Sequence, residues 1–384
     1  MRIAMLGHKR VPSREGGVEI AVEELAVRMA AQGHEVTCYN RRGHHVSGKQ
    51  FDAAQQDEHR GVRLKYVTAI NMKGVAAMTA SFFASIRAAF GRYDVVHFHT
   101  EGPCAMMWLP RLMGKRCIAT IHGLDHQRSK WGRFARWYIL RGEKCAVKRA
   151  HEIIVLSRNA QSYFQKQYGR ETTLIPNGLP SMSNRDAELI REKYGLQKDG
   201  YILFLGRITP EKGVDYLLDA YRNIATDKKL VIAGGASDSQ EYFRDLRRRA
   251  ADIPGVIFTD FVQGDLLEEL YSNAYVYVLP SDLEGMPLSL LEALSHGSCC
   301  LVSDIPENRD VVGECGAVFR QGSAEDLALK LQELLHAPER VEAFRKAVKE
   351  NLHTMNSWDE VTARTLALYA GSQPPLSQAD GAAL

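Results

Sequence analysis

The chain of 384 residues has no long hydrophobic run. Its longest weakly polar stretch, GVAAMTASFFASI (74–86), is too short to cross a bilayer and is followed by Arg87. The opening MRIAML runs straight into a turn, so no export signal is visible. These absences predict a cytoplasmic protein, or one peripheral on the inner face of a membrane. A strong charge of one sign is missing as well. The 49 Lys and Arg against 46 Asp and Glu leave a net charge of +3, which points to no polyanionic partner and in particular to no nucleic acid. The seven cysteines form an odd set without a CxxC pair, several of them in apolar runs such as SCCLV, so reduced, structural thiols are expected. No GxGxxG fingerprint occurs, and EVTCYN ends on Asn40 where a dinucleotide site would need an acid. No DxD-type pair follows a strand, so bound Mg²⁺ is not indicated. His97 and His99 lack a third ligand nearby in sequence. Neither a cofactor nor a metal site is expected.

What the sequence does contain is a repeated alternation of short β-branched runs and longer helical patterns. Strands are predicted at 2–6, 35–39, 62–67, 94–99, 116–122 and 152–157, and again at 201–206, 229–234, 255–260, 274–280 and 298–303. Such continuously apolar strands belong to parallel sheets covered by helices on both faces. The pattern restarts after LIPNGLPSMSNRD (174–186), a linker composition near mid-chain. The expected architecture is α/β: two doubly wound, Rossmann-like domains, residues 1–180 and 181–357, facing across a cleft that holds the ligand. WDEVTARTLALY (358–369) reads as an amphipathic helix, and 373–384 as a disordered tail.

Four strand ends carry chemistry. EGMPLSLLEAL (284–294) places Glu284 in a loop and Glu292 inside the helix that follows, with Pro287 suited to its first turn. The N–H groups near Met286, Leu288 and Ser289 form an anion site, and carboxylates beside it suit sugar hydroxyls. The plainer reading is an acidic helix start stabilised by the dipole. GRITPEKG (206–213) brings Arg207 and Lys212 to another strand end, where a guanidinium and an ammonium can clamp a diphosphate; two surface cations on a loop are the alternative. Gly16 and Gly17 precede an amphipathic helix with Val18, Ala21, Val22, Leu25 and Met29 as its apolar positions. They allow close approach to a phosphate, or else serve a turn that needs positive φ. His122 in TIHGLDHQ ends a strand, as a sugar contact or as a structural histidine.

Residues 126–150 hold eight Lys and Arg against one acid, Glu143. Arg133, Trp137, Arg141, Lys144 and Lys148 fall at helical spacing, interleaved with Phe134 and Tyr138. That pattern suits an anionic membrane surface, with a solvated helix face as the alternative.

Taken in order, GG-x-E after the first strand, His-Gly after a middle strand, IPNG at the junction, GR-x4-KG and E-x7-E resemble the retaining GT-B glycosyltransferases of family 4. GHKRVPSREGGVEIAVEELA and HGLDHQRSKWGRFARWYILRGEKCAVKRA look most like a bacterial rhamnosyltransferase-containing subgroup of surface-polysaccharide assembly. The resemblance implies a metal-independent transferase that moves a sugar from a UDP- or TDP-sugar, such as TDP-rhamnose, to a glycan or lipid-linked acceptor. Gly16 and Gly17 would approach the donor diphosphate, which Arg207 and Lys212 would hold. His122 and Glu284 would contact the sugar, with Met286, Leu288 and Ser289 nearby. Glu292 would take the ribose, and Phe261–Val262 would border the base. TDFV departs from the pattern, with Asp260 where relatives often have Gly. The resemblance also implies a helix at 358–372 that packs back on the first domain, and front-face attack with retention, so that no carboxylate nucleophile is required. A nucleotide-sugar epimerase of the same architecture remains open, as does a non-catalytic glycosyltransferase-like partner protein.

Overall fold

The structure, a computed structural model, describes residues 1–43, 55–70, 75–128, 131–181, 183–236 and 239–375; the end of the tail expected to be disordered lies outside them. The chain divides into two compact units, Met1–Gly178 with Asn356–Leu384, and Leu179–Met355. The first unit holds β1 (Arg2–Leu6), β2 (Glu35–Arg41), β3 (Glu58–His59), β4 (Val62–Val67), β5 (Val95–His99), β6 (Arg116–Ile121), β7 (Glu152–Val155) and β8 (Thr173–Leu174). They form one sheet in the order β3-β4-β2-β1-β5-β6-β7-β8, parallel except for the β3–β4 pair. The second unit holds β9 (Tyr201–Leu205), β10 (Lys229–Ala233), β11 (Val256–Asp260), β12 (Val276–Leu279), β13 (Cys300–Ser303) and β14 (Gly316–Phe319). Its all-parallel order is β11-β10-β9-β12-β13-β14.

Both sheets are doubly wound, which the continuously buried central strands dictate: Ile3–Leu6, Val95–His99, Tyr201–Phe204 and Val276–Leu279 have no solvent face. Strand order reverses at β1/β5 in one unit and at β9/β12 in the other, and each reversal opens a crevice beyond the carboxyl ends. The backbone there is closely packed. Gly7, at φ +109 just after β1, would place a Cβ 2.1 Å from the carbonyl oxygen of His99. Gly213, at φ +63, would place one 2.2 Å from that of Pro280 after β12. Only glycine fits either position. All seven cysteines are free and all but Cys145 are buried; burial pushes the Cys117 and Cys299 thiols up to about 12.

The helix Trp358–Ala370 belongs to the first unit. It starts with a capping box between Ser357 and Glu360 and buries Trp358, Val361, Leu368 and Tyr369. Arg116 donates to its Leu368 carbonyl at 3.0 Å, and His97 Nδ1 meets the Tyr369 hydroxyl at 2.6 Å.

Candidate functional site

In the second unit, the loops after β9 and β12 bring together groups that lie 72 residues apart in sequence. The Lys212 ammonium donates to Glu284 Oε1 at 2.5 Å, with the two residues 9% and 8% exposed. A buried ammonium and carboxylate so paired hold each other in place, while the ammonium keeps two further donors and the carboxylate several lone pairs for a ligand. The supporting backbone is fixed on both sides. Asp282 N–H donates to the Glu211 carbonyl at 2.9 Å, and Tyr216 donates to Asp282 at 3.1 Å. Arg207, half-buried two residues beyond β9, has neither a hydrogen bond nor an ion pair among the described residues.

The helix expected near Glu284 runs Leu288–Ser295, one residue later than the sequence suggests: Pro287 is its extended N-cap, φ −75° and ψ 107°. Proline has no N–H and fixes φ, so it forms the entry to the helix and the first turn begins at Leu288. The N–H groups of Leu288 and Ser289 have no acceptor among the described residues, the usual state of a helix N-terminus that can receive an anion. Met286 is half-buried beside them. Glu292 accepts from the Tyr271 hydroxyl at 2.9 Å, while Ser289 accepts from Tyr277 at 2.9 Å. Val262, expected to border the base, packs into the core of this unit. Asp260 occupies φ +57°, the left-handed region that favours glycine, and its carboxylate pairs with Arg247 at 2.6 Å.

In the first unit, His122 lies one residue beyond β6, and its Nε2 meets His99 Nδ1 at 3.0 Å. His97 stacks beside His99, ring centroids 4.1 Å apart, and is held by Tyr369 and by Thr120 at 2.7 Å. Burial pushes His122 and His8 down to about 4 and His97 to about 3, and it holds His99 well below the usual range. All four imidazoles are neutral at pH 7 and can relay or accept a hydrogen bond without bringing charge. Gly16 caps the helix Gly17–Ala31 with φ −175°, an extended conformation open to any residue. The turn with positive φ offered as an alternative for Gly16 and Gly17 is therefore absent. A Cβ on Gly16 would instead lie 2.9 Å from Glu19 Oε2, and Glu19 in turn accepts the Lys9 N–H at 2.9 Å.

Two features of the first unit are assembled only in three dimensions. The helix Arg133–Arg149 buries Ile139, Gly142, Glu143 and Ala146 and exposes Arg133, Arg136, Arg141, Lys144 and Lys148. Phe134 and Trp137 stack on its open face, 64% and 57% exposed. The helix Trp108–Leu112 packs against it and exposes Trp108 and Leu112, and the helix Val75–Phe90 packs against that one and exposes Phe82 and Phe83. The second feature is a buried group of Glu101, His126 and Glu143, which the sequence reading does not single out because 25 and 17 residues separate its members. Among the described residues, no helix is long and apolar enough to cross a membrane.

Residues 186–351 match the family described as glycosyl transferases group 1, and residues 15–181 match glycosyltransferase family 4. An uncharacterized glycosyltransferase of Methanocaldococcus jannaschii is 25% identical over 96% of this chain and 98% of its own. The GDP-mannose-dependent alpha-(1-6)-phosphatidylinositol monomannoside mannosyltransferase of Mycolicibacterium smegmatis is 24% identical over 94% of this chain and 96% of its own. Among solved structures, the sucrose-phosphate synthase of Thermosynechococcus elongatus has a TM-score of 0.78 at 21% identity, covering 96% of this chain and 98% of its own. HepE of Anabaena in complex with UDP-glucose has a TM-score of 0.78 at 16% identity, covering 97% of this chain and all of its own. With its two halves matching these two families, the chain is a GT-B glycosyltransferase of the group 1 and family 4 type.

Proposed function

We propose that the chain transfers a sugar from a UDP- or TDP-sugar, TDP-rhamnose among the candidates, to a glycan or lipid-linked acceptor of bacterial surface-polysaccharide assembly, with retention and without a metal at the diphosphate. The observation that carries this reading is the arrangement at the carboxyl end of the second sheet. An unpartnered guanidinium on Arg207, the paired Lys212 and Glu284, and the open N–H groups of Leu288 and Ser289 all sit on the two loops flanking one strand-order reversal. Arg207, Lys212 and that helix end supply the donors that a departing nucleoside diphosphate needs as negative charge develops on it. Glu284 accepts from sugar hydroxyls, and Glu292 with Tyr271 addresses the ribose. In the first unit, the Gly16–Gly17 backbone and neutral His122 are the groups we assign to the substrates. Front-face attack is the route to retention on this reading, so that no carboxylate nucleophile is required and the donor phosphate takes the acceptor proton.

A lipid-linked acceptor at the inner face of the membrane is favoured by the exposed Phe134–Trp137 stack among cations, since aromatic rings and basic side chains together suit an anionic interface. A relative acting on a phosphatidylinositol mannoside is in keeping with this. The test is release of nucleoside diphosphate from UDP-, TDP- and GDP-sugars, with and without EDTA and with and without a bacterial lipid extract. Release from one donor that resists EDTA and depends on the extract is the expected result. Release only with added Mg²⁺ would contradict the metal-free diphosphate clamp, and absence of both turnover and donor binding would favour a non-catalytic partner.

A further inference from the structure

We propose that Glu101, His126 and Glu143 form a binding site for one divalent transition-metal ion, with zinc as the expected occupant. Each residue comes from a different element of the first unit: Glu101 opens the short helix after β5, His126 lies in the turn Asp125–Gln127 after β6, and Glu143 is on the buried face of the helix Arg133–Arg149. That helix is pressed against the Glu101 backbone, since a Cβ on Gly142 would lie 2.0 Å from the Glu101 carbonyl oxygen.

One ligand atom from each side chain lies within 4.8 Å of the other two. His126 Nδ1 is 3.3 Å from Glu143 Oε2 and 3.7 Å from Glu101 Oε1. Zinc bonds of roughly 2.0–2.2 Å at tetrahedral angles set neighbouring ligand atoms about 3.3–3.6 Å apart, so these spacings need only a small closure.

The hydrogen bonding is divided in the way a metal site requires. The far oxygens are held by protein donors: Glu101 Oε2 by the Asp125 N–H at 2.9 Å, and Glu143 Oε1 by the hydroxyls of Tyr163 at 2.9 Å and Tyr168. The near atoms, Glu101 Oε1, His126 Nδ1 and Glu143 Oε2, receive no hydrogen bond among the described residues. They belong to side chains that are 0%, 8% and 0% exposed. Three buried atoms that converge with only one another in reach are costly unless a shared cation or proton joins them. Two carboxylates and an imidazole without a thiolate fit zinc, and the nitrogen ligand argues against magnesium or calcium. The competing occupant is a proton on His126, whose pKa the two carboxylates raise to about 9. An ion here would pin the turn Asp125–Gln127 that follows His122.

The test is metal content and thermal unfolding of the whole chain, stripped and then reconstituted separately with zinc and cobalt. About one zinc per chain surviving dialysis, a midpoint raised by several degrees, and a cobalt spectrum without thiolate charge transfer are expected. His126→Gln and Glu101→Gln should each lose the ion. If His126→Gln fails to fold, Glu101→Gln and the wild-type cobalt spectrum still decide. Less than about a tenth of an equivalent bound, a thiolate band, or full retention of the ion by Glu101→Gln would overturn the site and leave a proton-linked triad.

Discussion

Arg207 and Lys212 are both cations on one loop, yet the fold uses them differently. Arg207 holds nothing in the protein, so Arg207→Ala should leave the unfolding midpoint unchanged while donor turnover falls on the order of 10²–10³-fold. Lys212→Ala strands a buried carboxylate on Glu284 and should cost about 3–5 kcal/mol in urea unfolding in addition to its effect on turnover. If the two variants were equally stable, the pair would not be a structural clamp. The presence of both residues at strand ends was legible in the sequence, because a buried apolar run must end where GRITPEKG begins. Their mutual partners were not legible. Nothing in local spacing joins Lys212 to Glu284, Glu292 to Tyr271 or His126 to two glutamates; those contacts arise only when strands distant in sequence become neighbours.

At the scale of elements, the loop after β9 depends on one close backbone approach. Gly213→Ala meets both a left-handed φ and the Pro280 carbonyl, and should destabilise the second unit by on the order of 1–3 kcal/mol in denaturant unfolding. The helix Arg133–Arg149 invites the opposite experiment. Phe134→Ser with Trp137→Ser removes exposed rings that support no core, so binding to anionic liposomes should weaken sharply at unchanged stability. Unchanged liposome binding would remove the case for membrane docking. The central strands of both sheets were readable because burial on both faces leaves an uninterrupted apolar run. The two-residue β3 and β8 are too short to carry a pattern, and edge strand β14 is only partly buried along GAVF, so neither periodicity nor hydrophobicity marks them.

For the whole molecule, the buried histidines couple stability to pH. His8, His97, His99 and His122 are all held below the ordinary value near 6.5, so the unfolded chain binds more protons than the folded one between about 6.5 and 4. Stability of the first unit should therefore fall as pH drops through that window and change little from these groups above it. Thermal unfolding followed from pH 7.5 to 4.5 checks this, and assigned resonances of these four histidines titrating near 6.5 in the folded protein would contradict it. The composition break at LIPNGLPSMSNRD was legible as a pause between two sheets. The return of Trp358–Ala370 to the first unit rests on contacts such as His97 with Tyr369, 272 residues apart, which no local pattern encodes.

The central claim is that the loops after β9 and β12 grip a nucleoside diphosphate without a metal. Calorimetric titration of UDP, TDP and GDP into the wild-type chain and into Arg207→Ala, all in EDTA, tests it most directly. One nucleotide should bind the wild-type chain and bind the variant at least about tenfold more weakly, the loss of roughly one charge-assisted contact. Equal affinity for both proteins, or binding that appears only when Mg²⁺ is restored, would contradict it.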